Sequence, residues 1–267
     1  MNGAQALPIL MYHHVSPNPG LVTVSPATFR DHIRSLAEAG WRSAGLDAVE
    51  RFYRGDRLPA KTCIITFDDG YLDNYIYAHP VLREFGMHAV LFIVTGWIGH
   101  GPPRNGTVDT PDHDACKRMI ASGSSDSAVL RWSEVELMGR DETFEFHSHT
   151  HTHSRWDQIY SNGNSKKTAL AEDLEKSRQE LFHRMGQCSP HLCWPQGYYD
   201  EDYLAVGKDL SFSHFYTTAR TMNHPLGSTD TIGRLATKET TGKWAVRRCM
   251  IYATPVLARI YDALRRK

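Results

Sequence analysis

Two carboxylates stand side by side at Asp68-Asp69, closing the apolar run Cys63-Ile64-Ile65-Thr66-Phe67 and followed at once by Gly70. The run reads as a short buried strand that ends at a glycine turn. Free acids are costly at the end of a buried strand unless something offsets their charge. Along a strand the two side chains point to opposite faces, but a turn can steer both into one cleft. There one carboxylate can bind a metal while the other stays a proton acceptor. A second cluster, Glu145-Phe146-His147-Ser148-His149-Thr150-His151-Thr152-His153, holds four histidines at alternate positions. In a strand all four share a face. If the chain turns helical near Thr150, pairs four apart share one instead. Two imidazoles and one carboxylate are three protein ligands, the count of a hydrolytic metal centre with an open position. A solvated histidine-rich loop accounts for one such residue more readily than for both clusters.

These segments resemble the polysaccharide deacetylases, carbohydrate esterase family 4. Thr66-Phe67-Asp68-Asp69-Gly70 matches the family's first motif, and the histidine run matches its second, which usually reads EIGSHTxxH. That alignment selects His149 and His153 and puts His147 where the family commonly has glycine. Trp194-Pro195-Gln196-Gly197 looks like the third motif, and the resemblance spans most of residues 7 to 240. It implies Asp69, His149 and His153 as ligands of one divalent metal ion, zinc first, with cobalt, nickel or iron suiting the same donors. It also implies Asp68 as general base and Trp194, Pro195, Gln196 and Gly197 as the substrate-binding and oxyanion segment. Met11-Tyr12-His13-His14-Val15 resembles the YHxV segment of a subgroup and offers His13 as general acid. The family's usual late Leu-x-His is not matched by His214 or His224. The arginine that family members often carry two positions before the proline, orienting the base, is replaced here by Cys193, so Asp68 must be oriented by something else.

Elements able to position these residues follow in order. Strands are expected at 7–12, 61–67, 89–94, 143–146, 191–194, 213–218 and 232–236. Helices are expected at 26–40 behind an N-cap Ser25, at 74–85 ended by Gly86, and at 133–138, 170–185 and 203–208. In the long helix Leu174, Leu181 and Phe182 form the apolar side. Strands alternating with helices imply a mainly parallel α/β sheet with right-handed crossovers. The resemblance adds an irregular (β/α) barrel of about seven strands, in which chemistry sits at the strands' carboxyl ends. Residues 99–129, rich in Gly, Pro and Ser, read as a loop inserted near the site's mouth, either a substrate lid or a mobile surface loop.

Length fits a single catalytic domain over 1–267. Thirty basic and thirty acidic residues leave no formal charge, which removes the usual argument for nucleic-acid binding. Five cysteines without regular pairing, and no signal-like N-terminus, favour a reducing, cytoplasmic setting. The segment 243–267 is amphipathic and basic, with seven Lys or Arg against Asp262 alone. It reads as a closing helix packed on the domain or as a peripheral contact with an anionic membrane. The expected activity is metal-dependent removal of the N-acetyl group from a sugar, in an intermediate of surface-glycan (lipopolysaccharide, O-antigen or other polysaccharide) biosynthesis. The alternatives are another amide hydrolase on the same scaffold and a non-catalytic glycan-binding relative.

Overall fold

A computed structural model describes residues 3–105, 108–187 and 189–265. In chain order its elements are β1 (Ile9–Tyr12), β2 (His14–Val15), β3 (Thr23–Val24), α1 (Pro26–Glu38), β4 (Arg42–Ser43), α2 (Leu46–Tyr53) and β5 (Thr62–Asp69). Then come α3 (His79–Glu84), β6 (Ala89–Ile93), α4 (His113–Ala121), α5 (Trp132–Arg140), β7 (Phe144–Ser148), α6 (Trp156–Ile159) and α7 (Gly163–Met185). The chain closes with β8 (His191–Cys193), α8 (Glu201–Asp209), β9 (His214–Tyr216), β10 (Leu235–Ala236), α9 (Gly242–Ala253) and α10 (Pro255–Arg265). Seven strands run in the order β10-β1-β5-β6-β7-β8-β9, every pair parallel, and β4 adds to the start of β5. This is the expected seven-stranded parallel half-barrel. A bridge between Tyr216 and Ile232 draws the last two segments together.

Parity along β5 sorts the core. Cys63, Ile65 and Phe67 face the helices, where Phe29, Ile33 and Leu36 of α1 pack on them. Ile64 faces the barrel interior with Val90, Phe92, Cys193 and Tyr216. Asp68 continues the interior parity. Every residue of β5 is buried, so both faces are apolar and the strand reads as a continuous hydrophobic run rather than an alternating one.

Helix α1 starts where its cap places it, with the Ser25 hydroxyl accepting from Thr28 N. Several expectations need correction. The segment 74–85 is not one regular helix, because a π turn over Asn74–Ala78 precedes α3. Helix α7 begins at Gly163, ahead of the expected start, because the Asn162 side chain caps it by accepting from Asn164 N and Ser165 N. Phe182 is 57 % exposed, and the buried stripe of α7 runs through Leu170, Leu174 and Leu181. The region 99–129 is not a bare loop. It contains α4, and it is tied to the chain after β1: Asn18 Nδ2 donates to Thr110 O at 2.7 Å, and Ser16 and Thr110 hydroxyls pair at 3.2 Å.

The basic tail forms α9 and α10. Ala258 is buried against the domain, and the Tyr252 hydroxyl donates to Asp262 Oδ1 at 2.6 Å. Val256, Leu257, Ile260 and Leu264 stay exposed, with Met250 beside them. Met250, Ala253, Thr254 and Leu257 line a cavity with Gln5, Trp41 and Lys61, residues that precede strands β1, β4 and β5. The junction of α9 and α10 therefore sits at the strands' amino ends, while α10 runs back along α9, with Arg248 over Tyr261 and Asp262 paired to Arg220. No helix among the described residues is long and apolar enough to cross a membrane.

Candidate metal centre and its surroundings

Strand parity would send Asp69 to the helix face, away from Asp68. Its backbone prevents this, with φ of 77°. Gly70 follows at φ 89°, and a Cβ there would meet Ile93 Cγ2 at 3.2 Å, so this turn needs glycine. Thr150, His153 and Gln196 are also non-glycine residues in the left-handed region, at φ of 68°, 61° and 57°. Such residues each cost about 1–3 kcal/mol and persist only where their surroundings over-determine them. Here they share one cleft. The chain does not turn helical after β7. Instead Thr150 bends back, the Ser148 hydroxyl accepts from Thr150 N, and the Thr150 hydroxyl accepts from His153 N at 3.0 Å.

The outcome is a compact donor set. Asp69 Oδ1 lies 3.4 Å from His149 Nε2 and 3.5 Å from His153 Nε2. All three ligand atoms fall within 4.8 Å of one another. Asp69 Oδ1 is buried and accepts no hydrogen bond. His149 Nδ1 faces the Cys193 carbonyl at 2.8 Å. A carbonyl only accepts, so Nδ1 carries a proton and Nε2 is the nitrogen turned to Asp69; burial lowers the imidazole's pKa, but Cys193 and Asp69 outweigh it and raise it, so a cation at Nε2 would displace a proton. Burial pushes His153 down to about 4, leaving it neutral and able to ligate. Burial works against Asp69 ionising, but the His149 and His153 imidazoles outweigh it and hold the carboxyl well below its usual range. An orphaned carboxylate oxygen facing two imidazole nitrogens fits a divalent cation. A second trio, Asp68, His149 and Cys193, also lies close together. Asp68 is engaged elsewhere, and burial pushes the Cys193 thiol up, so this set offers poorer donors.

What engages Asp68 is Arg234, which the sequence reasoning missed. Arg234 Nη1 donates to Asp68 Oδ1 at 2.6 Å and Nη2 to Oδ2 at 2.7 Å. The remaining guanidinium hydrogens go to the Thr217 carbonyl, the Thr66 hydroxyl and Cys193 Sγ. Arg234 is wholly buried. Burial opposes ionisation of Asp68, yet the guanidinium outweighs it and holds the carboxyl below its ordinary value. The arginine that holds Asp68 thus comes from beside β10, while Cys193 leaves room for it. A signal was present, since Arg234 is the single cation in the apolar segment Ile232 to Ala236, and a buried cation needs a buried acid.

His13 Nε2 lies 3.6 Å from Asp68 Oδ2, with 18 % of its side chain exposed. Burial is the main influence on its pKa and lowers it, opposed by Asp68 and Asp69. His14 turns away. Its Nδ1 meets Asp73, its Nε2 faces His113 Nδ1 at 3.2 Å, and its ring stacks on Tyr71. Helix α4 of the insertion is therefore fastened beside the cleft. His147 also stays outside the donor set, paired with Glu145 at 3.3 Å and bonded to Ser189. Trp97 stands half-buried at the metal site, its ring 5.2 Å from that of His153.

The third segment needs two corrections. Trp194 is fully buried, stacked on Phe215 with centroids 5.4 Å apart, so its ring supports the turn and cannot meet a substrate. Pro195 is buried too. Gly197 N–H donates to the Trp194 carbonyl at 2.8 Å and is spent within the turn. The Gln196 N–H has no backbone partner among the described residues, so it is the donor this turn leaves free.

Comparison with known proteins agrees with this geometry. A model of the polysaccharide deacetylase family matches residues 55–215. The Bacillus subtilis protein YxkH, assigned by its name to the polysaccharide deacetylases, is 28 % identical over 215 residues, covering 79 % of this chain and 64 % of its own. The poly-β-1,6-N-acetyl-D-glucosamine N-deacetylase of Escherichia coli K12 is 23 % identical over 209 residues, 73 % of this chain and 31 % of that one. The chain thus spans less than two thirds of either relative. Among solved structures, the Streptococcus pyogenes deacetylase PplD, in complex with acetate, superposes with a TM-score of 0.72 at 20 % identity, over 94 % of this chain and all of that one. IcaB from Ammonifex degensii gives 0.70 at 20 % identity, over 95 % and 99 %. At such identities these structures establish the fold.

Proposed function

Since the chain belongs to the polysaccharide deacetylase family, we propose that it is a metal-dependent N-deacetylase hydrolysing the acetamide of an N-acetylated sugar, in the making of a surface glycan. The observation that carries this reading is the ligand trio beside Asp68 clamped by Arg234, with His13 within reach. The names of relatives that act on poly-β-1,6-N-acetyl-D-glucosamine support an N-acetylglucosamine-containing substrate.

A divalent ion held by Asp69, His149 and His153, zinc foremost, supplies Lewis acidity that acidifies water and polarises a carbonyl. The chain's own groups do the rest. Asp68 is ionised at neutral pH. Each of its oxygens accepts one bond from Arg234 and keeps a lone-pair site, so it can take the proton of an attacking water. The Gln196 N–H, which its turn leaves free, is the donor we assign to the developing oxyanion. His13 is the acid that gives the leaving amine its proton. It is neutral at rest, so the proton must reach it during turnover, and Asp68 Oδ2 at 3.6 Å is the nearest source. Trp97 offers a ring on which a sugar face can stack.

The test is release of acetate and free amine from a panel of N-acetylated oligosaccharides and activated sugars, with and without chelator. Chelator-sensitive release supports the reading; a fully metal-loaded protein inert toward every N-acetylated sugar refutes it.

We further propose a cytoplasmic protein in peripheral contact with an anionic membrane. The four described cysteines are free and buried, as a reducing compartment allows. Around α10, five exposed apolar side chains lie beside the exposed cations Lys243, Arg247 and Arg259. The only acid of the segment is turned inward, with Asp262 paired to Arg220 and Tyr252. A second copy would set cations against cations, whereas an anionic bilayer meets both features.

A further inference from the structure

A cavity of about 290 Å³ opens beside the catalytic pair, lined by Arg220, Arg234, Lys238, Arg248, Trp244 and Thr218, and no acid lines it. Its volume falls at the small end of ligand sites, roughly 300–1,000 Å³, which suits one charged group of a ligand rather than a whole molecule. Arg234 belongs to both places, since its guanidinium holds Asp68. Thr218 borders the third-motif turn, because a Cβ on Gly197 would meet Thr218 Oγ1 at 2.3 Å. The cavity therefore adjoins the cleft at the strands' carboxyl ends.

The charges in it are not cancelled. Arg234 is matched by Asp68, and Arg220 is half-matched by Asp262 at 3.5 Å. Lys238 and Arg248 pair with no carboxylate among the described residues. Arg248 stacks instead over Trp244 at 5.2 Å and Tyr261 at 4.5 Å. Its Nη1 is buried without a hydrogen-bond partner, and so is Trp244 Nε1. Two buried donors on neighbouring side chains without an acceptor are costly to maintain, so an acceptor belongs there. A guanidinium, an ammonium and an indole N–H around a small cavity match a phosphoryl group, which offers several anionic oxygens to a fork of donors.

We propose that this cavity holds a phosphate or diphosphate group of the substrate, so that the sugar processed is phosphate-linked rather than a neutral polymer. This deepens the deacetylase reading and rests on it for the reaction, but the anion site stands on its own residues. The phosphoryl group sits at the rim while the acetamide lies between the ligand trio and Asp68. A nucleotide-linked and a lipid-linked sugar share this chemistry.

The test has two parts. First, inorganic pyrophosphate is titrated calorimetrically into the full chain and into Lys238→Glu and Arg248→Gln variants. We expect saturable binding to the wild type and at least tenfold weakening in each variant. Lys238 is exposed, so its variant folds even if Arg248→Gln does not. Absence of binding to the wild type, or equal binding to Lys238→Glu, overturns the proposal. Second, deacetylation of UDP-N-acetylglucosamine, a polyprenyl-diphosphate-linked N-acetylglucosamine and a neutral chito-oligosaccharide is compared. Lys238→Glu should raise KM for a diphosphate-linked sugar while sparing the neutral one, and which of the two linked sugars reacts identifies the source. Equal effects on neutral and linked sugars overturn the substrate assignment. Pyrophosphate binding without deacetylation of any sugar removes the proposed reaction and leaves the anion site.

Discussion

Replacing Arg234 with methionine, close in length but uncharged, isolates what orients the base. Wild-type Asp68 is fully buried and held by two short charge-assisted bonds, of 2.6 and 2.7 Å. Breaking a buried ion pair on one side costs about 3–5 kcal/mol, because the partner's charge is left unmatched. At roughly 2–4 °C per kcal/mol for a chain somewhat shorter than this one, melting should fall by about 6–20 °C. The loss should depend on pH in a definite sense. The wild-type carboxyl titrates below its unfolded value, so its contribution is complete above about pH 4 and disappears as pH falls through the folded pKa. In the variant burial is opposed only by the weaker pull of His13 and His149, so the carboxyl titrates higher than in the wild type. The stability gap between the two proteins should therefore be widest near neutral pH and narrow toward pH 4. Turnover should drop by up to the ~10²–10⁴-fold that a general base supplies, and the acid limb of kcat/KM should move to higher pH. Cys193 Sγ sits 3.0 Å from Arg234 Nη2, so Cys193→Arg placed in an Arg234→Ala background, where the space at 234 is vacated, should return a guanidinium to Asp68 and restore part of the activity. An unmoved acid limb together with turnover within threefold of wild type would refute the assignment of Asp68 as the base that Arg234 controls.

The remaining expectations concern single groups. Asp69→Ala, His149→Ala and His153→Ala should each empty the metal site by elemental analysis, whereas His147→Ala should leave it filled; the reverse pattern removes the ligand set. Asp68→Asn should keep metal and fold yet lose ~10²–10⁴ of its turnover, and near-wild-type kinetics would exclude it as base. His13→Ala should lower kcat and kcat/KM together with metal content unchanged, while loss of metal would make it a support of the ligands instead. The full chain should sediment with anionic vesicles at low salt and release at high salt, each basic side chain adding ~1 kcal/mol, and removal of residues 255–267 should abolish this; indifference to vesicles at low salt rejects the membrane contact.

The parts of the site that were legible in the sequence are those in which local pattern and function coincide. Thr66-Phe67-Asp68-Asp69-Gly70 announces both a buried strand and its turn, and the positive φ at Asp69 and Gly70 realises that turn. The helix cap at Ser25 and the succession of strands and helices follow from similarly local cues. What escaped is what only the closed barrel brings together. Arg234 and Asp68 stand 166 residues apart, and nothing local to either names the other, although an arginine inside an apolar strand declares that some acid must be near. Spacing also cannot report hydrogen bonds already spent within a turn, which is why the sequence offered Gln196 and Gly197 alike as oxyanion donors. Phe182 was misplaced for a related reason, since apolarity on a helix does not say where the neighbouring layer ends. The relocation of the arginine has a consequence for how such sites can vary. The base needs a guanidinium at one point in space, and the barrel interior can be reached from β8 or from beside β10. A small residue at 193 is then a requirement of Arg234, because Trp194, Phe92 and Tyr216 leave no room for two long side chains. Cys193 and Arg234 are thus one feature in two positions, and neither should tolerate change unless the other changes with it.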